Sequence, residues 1–154
     1  MENKCYKVLI VDDDLEMCAL LSDVLKKEGH SAVTTGNSLE ASKMIKREEF
    51  DLIISDLKMK GLEGLDLLEE AKKMLPLTPV IIITAFGTIE SAIKAMKMGA
   101  FDYITKPFQM DELILTLRKA LENRFLKKEV VRLKREVESR YQFHLLIGKS
   151  PSMQ

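Results

Sequence analysis

The stretch that decides the fold is Val8-Leu9-Ile10-Val11-Asp12-Asp13-Asp14. Four apolar residues, three of them β-branched, follow one another without alternation and stop at three acids. A run that is apolar on both faces suits a strand buried between two layers. Acids at its carboxyl end suit a ligand crevice rather than a core.

The same pattern recurs along the chain. Ser31-Ala32-Val33-Thr34 is a weaker run. Leu52-Ile53-Ile54-Ser55 and Val80-Ile81-Ile82-Ile83-Thr84 are clear ones, and Phe101-Asp102-Tyr103-Ile104-Thr105 is the fifth. Helical spacing fills the intervals. Met17, Leu20, Leu21, Val24 and Leu25 make one apolar face, with Gly29 as its stop. Asp14 is placed to cap that helix. Asn37 or Ser38 can cap a second through Ala41, Met44 and Ile45, with Glu40 placed for a capping box. Leu65, Leu68 and Ala71 mark a third helix closed by Leu75-Pro76. Ile89, Ala92, Ile93 and Met96 mark a fourth closed by Gly99, and a fifth begins near Met110. Strands alternating with helices predict an α/β fold, a doubly wound (βα)5 parallel sheet with helices on both faces.

The fifth helix has no stop signal. No Gly or Pro occurs between Gln109 and Gly148, and Leu126, Val130, Leu133 and Val137 step by 4, 3 and 4, a heptad seam. Leu113, Leu117 and Leu121 are expected to pack on the sheet. The seam is expected to leave the domain as an extended linker helix and pair with a second chain. The domain reading is therefore 1–122 for the α/β domain, 123–142 for a helical coiled-coil linker, and 143–154 for the start of something further.

Composition removes several function classes. The chain has 154 residues with 24 Lys+Arg against 24 Asp+Glu, and is 46% hydrophobic. It is neither disordered nor a membrane span, since no apolar run reaches roughly 18 residues. No apolar signal core follows Met1, so the cytoplasm is the expected location. Cys5 and Cys18 give no disulfide framework or zinc cluster. Residues 1–108 carry 14 basic and 18 acidic side chains, against 10 and 6 in residues 109–154. The first part is thus a poor nucleic-acid binder, and the mixed signs of the second suit a solvated helix.

The strand ends carry the chemistry: Asp12-Asp13-Asp14, Asp56, Thr84 and Lys106-Pro107. Strands of one parallel sheet end in one crevice, so these distant residues are expected to meet. Clustered carboxylates repel, and a hard divalent cation such as magnesium resolves the conflict. Asp13 and Asp56 are the expected ligands, with Asp12 acting through water. Asp56 is the candidate nucleophile toward phosphorus. Lys106 supplies positive charge, Thr84 a hydroxyl, and the backbone N–H groups after Asp56 and near Ala85 further donors.

Taken together, Val11-Asp12-Asp13-Asp14, Ser55-Asp56-Leu57, Ile83-Thr84-Ala85 and Tyr103-Ile104-Thr105-Lys106-Pro107-Phe108 resemble the signature segments of response-regulator receiver domains over about residues 5–122. The resemblance implies a flavodoxin-like sheet in strand order 2-1-3-4-5. It implies phosphorylation of Asp56 by a sensor histidine kinase, and Mg2+ on Asp13, Asp56 and the backbone carbonyl of Lys58 with Asp12 assisting. It also implies a Thr84–Tyr103 switch pair and a cis Lys106–Pro107 bond. Met59-Lys60-Gly61 departs from the frequent Met-Pro-Gly. The segment Leu146-Ile147-Gly148-Lys149-Ser150-Pro151-Ser152-Met153-Gln154 resembles the junction in sigma-54-dependent activators of the nitrogen regulatory protein C type. That implies the opening of a truncated AAA+ ATPase domain at 143–154. Contact with DNA and sigma-54 RNA polymerase would then come only through parts outside these residues. Gly148-Lys149-Ser150 is not a nucleotide loop, because Phe143 stands where a Walker A glycine belongs.

Two other functions compete. A haloacid dehalogenase-type phosphatase would use Asp12 as nucleophile, Asp14 as acid, and Thr84 and Lys106 as later motifs. However, Leu15 stands where Thr or Val is usual, and Asp56 would have no role. A pure dimerisation module would leave the whole acidic set without a purpose.

Overall fold

A computed structural model describes residues 4–58 and 64–146, with side chains as far as residue 143. Met59-Lys60-Gly61 and the segment from Ile147 to Gln154 lie outside the described residues. The elements alternate as the sequence predicts. They are β1 (Lys7–Val11), α1 (Leu15–Lys27), β2 (Ser31–Thr35), α2 (Ser38–Arg47), β3 (Leu52–Ser55), α3 (Gly64–Met74), β4 (Val80–Thr84), α4 (Ile89–Lys97), β5 (Asp102–Thr105) and α5 (Met110–Leu146). The five strands are parallel in the order β2-β1-β3-β4-β5.

Alternation within β1 explains why its run is continuously apolar. Val8 and Ile10 point into a core shared with Leu21 and Leu25 of α1 and Leu113, Leu117 and Leu121 of α5. Leu9 and Val11 point the other way, to Ala41 and Ile45 of α2 and Leu67 and Leu68 of α3. Both faces of the central strands are therefore dry, and no polar alternation is tolerated there. The edge strand β2 is partly exposed, which accounts for its weak signal.

Local details refine the sequence reading. Asp14 caps α1 as expected, accepting the Glu16 and Met17 N–H groups. Asn37 caps α2, but Glu40 does not complete a capping box. Its carboxylate accepts the Thr35 hydroxyl at 2.6 Å, and the Asn37 N–H goes to Thr35 Oγ1 at 3.2 Å. A capping box forms instead at α4 between Thr88 and Ser91. β2 runs one residue further, to Thr35, and β5 starts at Asp102 rather than Phe101.

The chain divides into two compact units, Met1–Arg124 and Phe125–Gln154. The docked part of α5 ends at Arg124, whose buried guanidinium lies 2.7 Å from Asp51 Oδ1. Asp51 Oδ2 accepts the Lys7 N–H at 2.8 Å, so the pair ties α5 to the start of β1 and β3. In the second unit, Leu126, Val130, Leu133 and Val137 are all exposed. Among the described residues, no helix is long and apolar enough to cross a membrane.

Candidate functional site

The crevice lies beyond the carboxyl ends of β1, β3, β4 and β5. Pairing of Val11 with Ser55 in register sets Asp12 and Asp56 one residue beyond adjacent strand ends. Both side chains are buried, at 3% and 4% exposure, whereas Asp13 is exposed. Carboxylate oxygens of Asp12, Asp13 and Asp56 lie within 4.8 Å of one another. Lys106 follows β5, and its Nζ sits 2.8 Å from Asp12 Oδ2 and 3.3 Å from Asp56 Oδ2. The Lys106–Pro107 bond is cis.

The remaining polar atoms are held by backbone. Asp12 Oδ1 accepts the Asp14 N–H at 2.9 Å. Asp56 Oδ1 accepts the Leu57 N–H at 2.6 Å and the Lys58 N–H at 3.3 Å, which fixes the carboxylate at the start of its loop. Gly64 is required beneath it. A Cβ there would overlap the Asp56 carbonyl and lie 2.7 Å from Leu57 Cα.

Electrostatics follow from this packing. Burial pushes the Asp12 carboxyl above its ordinary value, the Asp56 charge adds to the rise, and the Lys106 ammonium offsets part of it. Burial alone would pull Lys106 down. The hydrogen bond and charge of Asp12 together with the charge of Asp56 outweigh it, so Lys106 is raised and stays cationic. Among the described residues, the two buried carboxylates thus share the Lys106 ammonium, with the exposed Asp13 carboxylate beside them. Three hard oxygen donors in excess of their own cation fit a divalent ion such as magnesium.

Thr84 ends β4 fully buried, its Oγ1 accepting the Phe86 N–H at 3.1 Å, and its carbonyl accepts the Lys106 N–H at 2.9 Å. Tyr103, half-buried, turns its hydroxyl to Ser91 Oγ at 2.8 Å. A Cβ at Gly87 would overlap that hydroxyl and lie 3.1 Å from the ring. The structure thus brings Asp12, Asp13, Asp56 and Lys106 together, with Thr84 on the adjoining strand end. Tyr103 lies under the β4–α4 loop. Lys58 is exposed, and its ammonium lies over the Phe86 ring at 5.4 Å. Neither this cation–π pair nor the Ser91 partner of Tyr103 follows from the sequence reading; the Thr-x-x-Ser spacing of the capping box is the available signal for Ser91. Asp14, which a phosphatase of the Asp-x-Asp kind needs as its acid, instead caps α1.

A five-stranded doubly wound sheet with an acidic crevice beside a lysine defines a signalling receiver fold. The receiver-domain family model of response regulators matches residues 8–118, and the chain belongs to that family. A putative NtrX-like response regulator of Rickettsia bellii (strain RML369-C) is 41% identical over 145 residues, which cover 93% of this chain and 30% of the relative. The crystal structure of NtrX from Brucella abortus in complex with ADP superposes with a TM-score of 0.77 at 39% identity, over 84% of this chain and 30% of that one. The solution structure of the beryllofluoride-activated NtrC4 receiver domain dimer gives 0.73 at 35% identity, over 77% and 98%. The chain thus spans about a third of the length of the NtrX-like relative.

Proposed function

We propose that this chain is a phosphorylation-dependent switch of a two-component system. Asp56 accepts a phosphoryl group from the phosphohistidine of a sensor histidine kinase. A carboxylate oxygen of Asp56 attacks phosphorus, the P–N bond to the donor breaks, and the imidazole leaves with a proton. The observation that carries this reading is the Lys106 ammonium in contact with both Asp12 and Asp56, with Asp13 in the same cluster.

Asp13, Asp56 and the Lys58 carbonyl would hold Mg2+, with Asp12 acting through water. When bound, the ion supplies charge neutralisation for the incoming phosphoryl oxygens. Lys106 neutralises a further oxygen, while the Leu57 and Lys58 N–H groups hold Asp56 Oδ1 in place. Thr84 offers its hydroxyl to the phosphoryl group, giving up its bond from Phe86. Tyr103 couples that movement to the α4–β5–α5 face.

The linker helix joins two chains through Leu126, Val130, Leu133 and Val137, and the following residues lead into an AAA+ ATPase domain in a cytoplasmic sigma-54 activator. DNA and sigma-54 RNA polymerase are reached only through parts beyond this chain. The relatedness to NtrX-like regulators and the likeness to the beryllofluoride-activated NtrC4 receiver domain dimer support this reading.

The test is incubation with acetyl phosphate with and without Mg2+, followed by peptide mapping. The expected result is one Mg2+-dependent acyl phosphate on Asp56, absent from Asp56→Asn. Labelling on Asp12 would establish the phosphatase reading in its place, and no labelling would leave only a dimerisation module.

A further inference from the structure

Ser91 sits in the first turn of α4, and polar neighbours crowd its hydroxyl. The Thr88 N–H lies 2.9 Å from Ser91 Oγ, the Thr88 carbonyl 3.0 Å and the Tyr103 hydroxyl 2.8 Å. The Thr88 hydroxyl is 3.2 Å away and itself accepts the Ser91 N–H at 3.0 Å. A serine hydroxyl has one proton to give and two lone pairs to receive with. The Thr88 N–H can only donate and the Thr88 carbonyl can only accept. The Ser91 proton therefore goes to the carbonyl, and one lone pair takes the N–H. The second lone pair takes the Tyr103 proton, since the tyrosine oxygen is nearer than the Thr88 hydroxyl.

The far side of the tyrosine is set by Gly87. A Cβ at that position would lie 2.4 Å from the Tyr103 hydroxyl and 3.1 Å from the ring, so the ring occupies the space a side chain would fill. The loop between β4 and α4 is thus held at two points. Thr84 Oγ1 holds the Phe86 N–H at 3.1 Å on the strand side, and the Tyr103–Ser91 bond holds the helix side. The Thr88 carbonyl that takes the Ser91 proton also accepts the Ala92 N–H at 3.0 Å, the first bond of the helix. The tyrosine is therefore bonded into the first turn of α4 rather than to the loop alone. Moving the ring away from Gly87 must break that bond or take the turn with it.

We infer that Ser91 is a positioning residue for Tyr103: it accepts the tyrosine hydroxyl proton, keeps the ring against Gly87, and makes the ring and the α4 cap move as one. The inference rests on the reading of Thr84 and Tyr103 as a switch pair. It adds the atom through which the tyrosine reaches α4. When Thr84 turns to a phosphoryl group and releases the Phe86 N–H, the movement of the loop passes to α4 through this bond.

The test is nuclear magnetic resonance on the 154-residue chain as wild type, Ser91→Ala, Ser91→Thr and Thr88→Ala, before and after addition of Mg2+ with beryllofluoride as the phosphoryl mimic. Overhauser contacts between the Tyr103 ring and the Gly87 α protons report where the ring lies, and the α4 amides report the helix. A neutral hydrogen bond biases two orientations by about fivefold, so the share of rings turned away from Gly87 should rise by about that factor in Ser91→Ala. On adding beryllofluoride, the Leu57 and Lys58 amides of this variant should shift as in the wild type, while the shifts along α4 shrink. Ser91→Thr should restore both readouts. Thr88→Ala, which weakens the cap but keeps the Ser91 hydroxyl, should leave both in place. Unchanged ring contacts in Ser91→Ala, or an α4 response equal to that of the wild type, would overturn the inference. Equal losses in Thr88→Ala would overturn it too, by making Ser91 a helix cap alone. Wild-type Leu57 and Lys58 amides that ignore beryllofluoride would overturn the switch reading and this inference with it.

Discussion

Replacing Lys106 by methionine removes the cation that, among the described residues, lies between two buried carboxylates. At an effective dielectric of about 20, contacts of 2.8 and 3.3 Å correspond to gross attractions of about 6 and about 5 kcal/mol. Desolvation of the three groups cancels most of this. What remains when one partner of a buried pair is deleted is about 3–5 kcal/mol, because the carboxylates stay behind uncompensated. With a urea slope of about 1.5–2 kcal/mol per M, the unfolding midpoint should fall by about 2 M. The loss should depend on pH with a definite sign. Asp12 is already raised, and Lys106→Met deletes a contact that lowers it. A carboxyl whose folded value is raised stabilises the protein below its unfolded value and loses that contribution as pH rises through the folded value. The mutant deficit should therefore be largest above neutrality and shrink as pH falls. The chain has no Trp, so far-UV circular dichroism with EDTA present is the suitable probe. A midpoint shift below about 0.5 M, or a deficit independent of pH, would refute the reasoning.

Gly64→Ala should cost about 1–3 kcal/mol, because the obstructing atoms are backbone of Asp56 and Leu57, and a thermal melt should show it as a Tm drop of about 5 °C or more. Gly87→Ala should displace the Tyr103 ring and break its bond to Ser91 with little loss of stability, which Tyr103 ring resonances would report. Arg124→Met should cost about 1–3 kcal/mol by leaving Asp51 with its Lys7 N–H bond but without its cation, and Asp51→Asn in the same chain should recover part of it in urea titrations. Burial lowers His30, and its Nδ1 accepts the Tyr6 N–H at 3.1 Å. The stability it gives is present above its unfolded value of 6.5 and lost as pH falls through the lowered one, so Tm against pH should flatten there in His30→Gln.

The central strands were legible because burial on both faces forbids polar residues, as in Val8 to Val11 and Val80 to Thr84. The site was legible because parallel strands end on one side, so residues at the ends of β1, β3 and β5 had to converge. The parts that escaped are those that depend on side-chain direction. Glu40 stands at capping-box spacing, yet Thr35 offers it a closer donor. Arg124 reads as one more basic residue on a solvated helix, and only its approach to Asp51 shows that it closes the docked part of α5. The Tyr103–Ser91 bond links β5 to α4 across residues with no pattern in common.

Magnesium titration by calorimetry is the most direct measurement of whether Asp12, Asp13 and Asp56 form a single ion site beside Lys106. One ion per wild-type chain, with binding abolished in Asp13→Asn and Asp56→Asn at unchanged fold, is the predicted result. No binding to the wild type, or equal binding to both variants, would contradict it.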